Sequence, residues 1–368
     1  MNLSNRKEDF VVMNELPEFC VFLSQFDLTE TKCRQIVDSL DDVSVSSFCS
    51  HKFDKSVLSE EMKDKMMMKA DEILIKNYVY NLENQEIKLI TKYDDEYPEK
   101  LKGYSDSPFF LFCKGDLTLL NQKSLAVVGT RKPTSYGKMV TGKLVSDVAS
   151  KGIVIVSGLA YGVDSIAHRK CLEVGGKTIA VLGSGLNEIY PSEHKSLADE
   201  IARKGLLISE YQPNKTATKY TFPQRNRIIA GLGDGVLITE ANFKSGTIHT
   251  KDYALEYGKN MYAVPGNIDS DQSHLTNDII KTGQASLVTD ANDILKDYNL
   301  EKESYQSSMF QLSIDEQKII SLLEDGMKDI DYLIKNSNLP INNFNSCLTM
   351  LEIRGIIERM SGGFISLT

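Results

Sequence analysis

The run LAVVG at residues 125–129 is followed by IVIVS at 153–157, TIAVLG at 178–183, LLIS at 206–209, GVLIT at 235–239 and NMYAV at 260–264. Each run is rich in β-branched residues and lacks polar alternation, which is typical of strands buried on both faces. The segments between the runs have a helical period, as where Val140, Leu144 and Val148 recur every four residues. The pattern predicts a doubly wound α/β domain with a mostly parallel sheet.

Two smaller regions flank this domain, and we expect boundaries at 1–84, 85–298 and 312–368. The first region has mainly helical patterns. The last shows helical patterns at 314–324, 331–336 and 342–354, then apolar segments at 356–360 and 364–367 around Ser-Gly-Gly at 361–363. Three helices followed by a hairpin are typical of a winged helix.

The composition of the chain argues against several classes of protein. The chain has 368 residues, of which 41% are hydrophobic, enough to bury a sizeable core. It contains no apolar run long enough for a membrane helix, and its first residues lack the apolar centre of a secretory signal. None of its six cysteines forms a CxxC pair. We therefore expect a cytoplasmic protein with reduced thiols, no membrane association, no metal site and no cofactor.

The charge of the chain is unevenly distributed. The net charge is −9. Residues 121–230, however, carry 16 basic and 8 acidic residues, a net charge of +8, while the remainder has 26 basic and 43 acidic residues, a net charge of −17. A basic centre in an acidic chain indicates a local anion site.

The loops after the predicted strands supply candidates for this site, because ligands bind beyond the carboxyl ends of parallel strands. Gly129, Thr130 and Arg131 follow the first strand, where glycine lets backbone amides approach an anion and arginine suits phosphate. Taken alone, a tight turn that any such fold needs is the favoured interpretation. After the second strand, Ser157 and the Gly158 amide are candidates for phosphate contacts.

Residues further along give weaker indications. Asp164 is expected to cap a helix, and His168 has no second ligand at metal spacing. Lys195 opens a helix and is equally well explained as a solvated lysine. GSGLNE at 183–188 is a weak dinucleotide motif, and GGKT at 175–178 is rejected as a P-loop because Cys171 replaces its first glycine.

The densest signal is KYTFPQRNRIIAG at 219–231, followed later by SGT at 245–247, another anion candidate. Phe222, Arg225, Asn226 and Arg227 combine cations, an aromatic ring and an amide, which suits phosphates and stacked bases of single-stranded nucleic acid. A basic helix pairing with acidic neighbours is the alternative, but no carboxylate lies between Tyr211 and Leu232. Phe222 is equally well explained as a stacking ring or as a core residue.

Read in order, these segments closely resemble the bacterial DNA processing protein A (DprA/Smf) family over about residues 85–295. The matching stretches are YDDEYPEKLKGYSDSPFFLFCKGDL at 93–117, VVGTRKPTSYG at 127–137, VSGLAYGVDSIAH at 156–168, AVLGSGLNEIYPSEHKSLADEI at 180–201, FPQRNRIIAGL at 222–232, DGVLITEA at 234–241 and AVPGNID at 263–269. The segment 273–285 departs from the family, with Gly-Gln-Ala at 283–285 where a Gly-Ala pair is usual.

The resemblance implies an extended Rossmann-like domain that binds single-stranded DNA, with a SAM-like N-terminal domain and a C-terminal winged helix. It also implies a homodimer that protects incoming strands and loads RecA recombinase onto them during natural transformation, without catalysis. The family's DNA contacts map to Arg131, Lys195 and Asn226, surrounded by Ser157, Gly158, Phe222, Arg225 and Arg227.

Two other classes remain as alternatives. Nucleotide phosphoribohydrolases of related fold have the motif Gly-Gly-x-Gly-Thr-x-x-Glu, but here Thr250 stands where the glutamate is expected, leaving Glu240 as the substitute. A duplex-binding regulator would use segment 342–354, which has one arginine and one glutamate, little charge for a phosphate backbone.

The family's homodimer would form late in the α/β domain, at about 276–288. Ile279 and Ile280 adjoin on one helix there, and Leu287 begins a short edge strand. We expect one isoleucine to pack inward and the other to join Leu287 in a symmetric contact, although a core position for both is at least as well supported.

Overall fold

The computed structural model describes residues 16–26, 28–300, 313–323, 326–353, 356–360 and 363–367. The chain forms two compact units, Met1–Leu300 and Glu301–Thr368. Parts of several sequence predictions lie outside the described residues: the first 15 residues, the polar stretch 301–311, Arg354, and the turn positions 361 and 362.

A nine-stranded sheet forms the centre of the first unit. Its strands are Lys88–Thr91 (β1), Phe110–Gly115 (β2), Ser124–Val128 (β3), Val154–Ser157 (β4), Thr178–Leu182 (β5), Leu206–Ser209 (β6), Gly235–Ile238 (β7), Asn260–Ala263 (β8) and Ser286–Leu287 (β9). They lie in the order β1-β2-β6-β5-β4-β3-β7-β8-β9, and β3 to β9 are parallel. The predicted doubly wound α/β fold is confirmed. β1 and β2 are an antiparallel addition that the sequence analysis did not predict.

Helices cover both faces of the sheet. They are Glu99–Lys102 (α6), Ser135–Ala149 (α7), Val163–Glu173 (α8), Lys195–Lys204 (α9), Thr221–Leu232 (α10), Thr247–Glu256 (α11), His274–Lys281 (α12) and Asn292–Leu295 (α13). Alternate residues of β3 enter opposite cores: Leu125 packs with Leu144 and Val148 of α7, while Ala126 packs with Ile229 of α10. Burial on both faces explains why the strands lack polar residues.

In the described part of the chain before the sheet there are five helices: Leu16–Leu23 (α1), Glu30–Ser39 (α2), Val45–Ser50 (α3), Glu60–Met67 (α4) and Glu72–Asn84 (α5). The side chains of Thr29, Ser44, Ser59 and Asp71 cap the last four, each accepting a backbone N–H. Their core residues join a cluster that also contains Phe110 and Phe112 of β2. The helical region and the sheet therefore share one compact unit, and the boundary at residue 84 stays a prediction.

The second unit is a winged helix, as predicted. Its elements are Ile314–Leu323 (α14), Lys328–Asp329 (β10), Ile330–Ser337 (α15), Ile341–Ile353 (α16), Ile357–Arg359 (β11) and Phe364–Leu367 (β12). Ile319, Leu333, Phe344, Leu348 and Ile365 form its core, each no more than 1% exposed. β12 lies between β10 and β11 in an antiparallel sheet, and the short β10 was not predicted.

Within the described part of the chain, no helix is both long and apolar enough to cross a membrane.

Candidate nucleic-acid interface

A cavity of about 780 Å³ opens beyond the carboxyl ends of the central strands. The loop after β3, the N-terminal half of α10 and the loop into α11 contribute most of its lining. Arg131, Lys132, Lys219 and Lys244 are exposed cations on this lining, and Asp164 is its only carboxylate among the described residues. A concave, cationic surface of this size can hold a nucleotide-sized anionic ligand.

The loop after β3 presents Arg131 through close backbone packing. A Cβ on Gly129 would lie 2.7 Å from the carbonyl oxygen of Glu240, so only glycine fits. The Thr130 amide donates to the same oxygen at 2.7 Å, and the Thr130 side chain is almost completely buried. Gly129 and Thr130 therefore hold the turn, and Arg131 is the member of the predicted trio that faces solvent.

The carboxylate of Glu240 stabilises the start of α7. Its Oε2 accepts a hydrogen bond from the Thr134 amide (2.8 Å) and its Oε1 from the Thr134 hydroxyl (2.6 Å). A Cβ on Gly137 would lie 2.1 Å from Oε2, which shows how tightly the helix packs there. Both oxygens are engaged and Glu240 is buried. This arrangement explains the residue as a helix-orienting group, whereas the phosphoribohydrolase alternative needs a carboxylate that faces substrate.

The loop after β4 differs from the sequence prediction. Ser157 is fully buried and donates its hydroxyl to the Val127 carbonyl at 2.6 Å. The Gly158 amide donates to Oδ2 of Asp164 at 3.2 Å. The predicted phosphate contacts of Ser157 and Gly158 are therefore wrong for this structure, because both donors already have partners inside the protein. Asp164 supports the loop from the first turn of α8, where we expected a cap.

Arg225 also requires a correction. It is 4% exposed, and its Nη1 donates to the carbonyl oxygens of Gly158 (2.7 Å) and Val181. Burial lowers its pKa to about 10, while the nearby Asp164 raises it. Arg225 is therefore charged at neutral pH, but its buried guanidinium fastens α10 to the loop after β4 and to strand β5. An exposed phosphate contact by this side chain does not fit its burial.

Phe222 lies at the cavity wall, where it is neither a fully exposed stacking ring nor a fully buried core residue. Its ring is half-buried against Gly183, where an added Cβ would come within 2.9 Å of ring atom Cδ1. The ring centroid lies 5.4 Å from that of Tyr190 and 5.6 Å from Cζ of Arg131. Such an aromatic and cationic group is suited to stacking on a base.

Asn226 lines the cavity and connects two of its walls. Its Nδ2 donates to the carbonyl oxygen of Gly246 at 3.2 Å, and its Oδ1 accepts from Nε of Arg225 at 3.2 Å. Gly246 precedes α11, whose first residue Thr247 also lines the cavity. The predicted anion candidate at 245–247 thus lies beside Asn226, at the positive end of a helix.

Arg227 does not line the cavity. Its Nη2 forms a 2.6 Å ion pair with Glu210, and its Nη1 is buried without a hydrogen-bond partner among the described residues. The Arg227 side chain is thus paired with Glu210, and its DNA contact stays a prediction. The helical period predicts this difference. One face of α10 lines the cavity and carries Phe222, Arg225, Asn226 and Ile229, whereas Arg227 lies on another face.

Lys195 is exposed as the first residue of α9, outside the cavity lining. The neighbouring His194 is buried and its Nδ1 bonds to the Leu159 carbonyl at 2.9 Å, which ties the start of α9 to the loop after β4. Lys132, Lys219 and Lys244 line the cavity and were not predicted as individual contacts. Lys219 and Lys244 each adjoin an aromatic residue in a loop, and Lys132 adjoins Arg131, which was the available signal.

The three residues predicted for a dimer contact differ in their exposure to solvent. Ile279 is 1% exposed and belongs to the core, so its assignment to an interface is wrong. Ile280 is partly buried against the same core. Leu287 is 48% exposed on β9, the edge of the nine-stranded sheet.

Two protein-family models match this chain. The family model for DNA recombination-mediator protein A matches residues 88–299, and the DprA winged helix domain matches 305–363. Protein Smf of Escherichia coli K12 is 34% identical over 296 residues, covering 78% of this chain and 79% of its own.

Two solved structures are also similar. The X-ray structure of DNA processing protein A from Streptococcus pneumoniae has a TM-score of 0.65 at 33% identity, covering 76% of this chain and 95% of its own. A structure of DNA processing protein A from Helicobacter pylori, described for its single-stranded DNA binding mode, has a TM-score of 0.53 at 32% identity, covering 58% of this chain and 96% of its own.

Proposed function

This chain belongs to the DNA recombination-mediator protein A family, and from this premise we propose that it binds single-stranded DNA, protects incoming strands and loads RecA recombinase onto them. The observation that carries the proposal is the cationic cavity beside Phe222 and Tyr190. Phosphates would meet Arg131, Lys132, Lys219 and Lys244, while a base would stack on the aromatic rings.

Single strands are favoured over duplexes by the shape of this site. A cavity with a half-buried ring in its wall can accept an unstacked base, whereas the bases of a duplex are stacked and paired. Helix α16 of the winged helix contains no lysine or arginine, so it lacks the cations with which a major-groove reader contacts phosphates. A competition assay tests the preference: unlabelled single strand should displace a labelled strand, and blunt duplex of equal length should not.

The RecA step is tested separately from binding. In the proposed cytoplasmic setting, this protein should accelerate RecA assembly on strands that are already coated by a single-strand-binding protein, and should slow their digestion by an exonuclease. Slower digestion without faster RecA assembly would retain the binding proposal and remove the loading proposal.

We further propose a homodimer whose contact includes the exposed edge strand β9. A single cavity spans few nucleotides, and joining two cavities raises avidity through effective concentration. An exposed sheet edge offers unpaired backbone groups to a second copy.

No catalytic step forms part of this proposal, because Glu240 already has hydrogen-bond donors on both carboxylate oxygens. Incubation with nucleoside monophosphates should release no free base. Base release that is lost in Glu240→Gln would instead support the phosphoribohydrolase alternative.

A further inference from the structure

Two exposed tyrosines lie at the cavity or next to it. Tyr190 lines the cavity and is 51% exposed, and Tyr161 is 40% exposed. The Tyr161 ring meets the His194 ring edge-on, with centroids 5.1 Å apart and planes at 64°. Tyr161 follows Ala160, which lines the cavity. Both tyrosine rings are therefore exposed at or next to the cavity.

The backbone conformation around Tyr161 fixes the position of its ring. Leu159 is fully buried in a left-handed conformation, with φ of 58°, and Gly162 follows with φ of 79°. The imidazole of His194 holds the Leu159 carbonyl at 2.9 Å. With these constraints Tyr161 is exposed, while Leu159 and Val163 on either side are buried in the core. His194 and Lys195 are adjacent in sequence, so Tyr161 packs against the residue that precedes Lys195.

Phe222 offers less free ring area than these tyrosines. It is flanked by the Arg131 guanidinium and the Tyr190 ring and packs against Gly183. The cavity holds only a few nucleotides, and bases of a longer strand need another platform. Tyr190 lines the cavity and is also exposed to solvent.

We propose that Tyr190 and Tyr161 form a second DNA subsite outside the cavity, where bases of the single strand stack as it runs from the cavity to Lys195. The ammonium of Lys195 then contacts a phosphate of the same strand. The inference rests on the proposed single-strand binding and names the path of the strand. Since every base has a π-face, the subsite accepts any sequence.

Glu193 is the opposing charge on this path. A backbone hydrogen bond lowers its pKa, and the Tyr161 hydroxyl adds to the effect, so the carboxylate is ionised at neutral pH. It lies two residues before Lys195 and repels phosphate. The subsite therefore predicts that Glu193→Gln tightens single-strand binding at low salt, where charge interactions are least screened.

The test uses full-length protein and fluorescence anisotropy with dT oligomers of about 5 and about 20 nucleotides, a range that spans common site sizes. Tyr161→Ala should weaken binding of the longer oligomer roughly tenfold and leave the shorter one nearly unchanged. Tyr161→Phe keeps the ring and should bind like wild type. Tyr190→Ala should weaken both oligomers because Tyr190 also lines the cavity. Tyr80→Ala, a change at a 63% exposed tyrosine of α5, is the matched control.

An abasic strand separates stacking from a structural effect. Wild type and Tyr161→Ala should bind it equally, because it has phosphates but no bases. Equal binding of wild type and Tyr161→Ala to the longer dT oligomer would overturn the subsite, as would a loss that persists on the abasic strand or in Tyr161→Phe. Failure of wild type to bind any single strand would instead overturn the proposed function.

Discussion

Nη1 of Arg225 donates a 2.7 Å hydrogen bond to the carbonyl oxygen of Gly158. The Gly158 amide in turn donates to Asp164, and a Cβ on Gly158 would lie 2.7 Å from both the Arg225 and the Asp164 side chains. This contact joins α10 to the loop after β4 and forms the floor of the cavity. A motif that resembles an exposed DNA-binding cluster therefore contains a cation that stabilises the fold.

Arg225→Ala should lower the free energy of unfolding by about 3–5 kcal/mol, because Asp164 would remain buried without its neighbouring cation. Urea unfolding measures this loss. Arg131→Ala, which removes an exposed cation, is the matched control and should change stability little. An Arg225→Ala protein of normal stability that no longer binds DNA would show that Arg225 contacts the strand directly.

Much of the fold was predictable because buried parallel strands leave continuous apolar runs. All six strands predicted from such runs lie within one residue of their observed bounds. The antiparallel strands β1 and β2 were missed. Strand β1 is short and partly exposed, whereas β2 has a buried apolar run that is aromatic and contains no β-branched residue. The winged helix was predictable from its helical periods and its hairpin.

The lining of the cavity was predictable at Arg131, Phe222 and Asn226, because each lies in a local motif at the end of a strand or the start of a helix; their contacts with DNA stay predictions. It was not predictable at Arg227, since its partner Glu210 lies 17 residues away in sequence and meets it only after β6 and α10 pack. Ser157 and Arg225 were misassigned for the same reason: polarity in a loop motif does not reveal whether the hydrogen bonds go inward or outward.

Phe222→Ala should weaken single-strand binding by about 1–3 kcal/mol, the usual value of one stacked base. Its stability loss should stay below the roughly 3–5 kcal/mol of a fully buried phenylalanine, since the ring is half-buried. Gly183→Ala retains the ring but displaces it, and should also reduce affinity. Binding curves measure the affinity of both variants and melting curves measure their stability. Unaltered affinity in both variants would contradict a role of Phe222 in DNA binding.

His168 should make the fold sensitive to acid. Its Nδ1 faces the Thr178 hydroxyl at 2.7 Å, and that hydroxyl donates to the Ile155 carbonyl, so Nδ1 carries the proton. Nε2 is buried without a partner among the described residues. Burial lowers the His168 pKa from 6.5 to about 3, with smaller contributions from His194 and Arg225.

Between those two pKa values the unfolded chain binds the extra proton, so stability falls as the pH decreases through this window. Relative to His168→Asn, wild type should lose about 2 kcal/mol more between pH 7 and pH 5. Urea unfolding at both pH values measures the difference. Parallel pH profiles for the two proteins would contradict a neutral buried imidazole.

Leu287→Glu should convert the proposed dimer into a folded monomer, because Leu287 is exposed on β9 and lies outside the core. Sedimentation at micromolar concentration measures the association state. Leu255→Glu on α11, at a similarly exposed leucine, is the control and should remain dimeric. Ile279→Glu should instead unfold the protein. A monomeric wild type would end the dimer proposal, and a dimeric Leu287→Glu would move the contact away from this edge.

The most direct measurement is anisotropy of wild type and Arg131→Glu with a labelled single strand and the matching blunt duplex over a series of salt concentrations. We expect wild type to prefer the single strand, with a log–log salt slope of about −0.7 per contacted phosphate. Arg131→Glu should bind weakly with a smaller slope and an unchanged melting temperature, while Lys151→Glu, at an exposed lysine after α7, should bind like wild type. Equal affinity of wild type for duplex and single strand, or full binding by a folded Arg131→Glu, would contradict single-strand binding in this cavity.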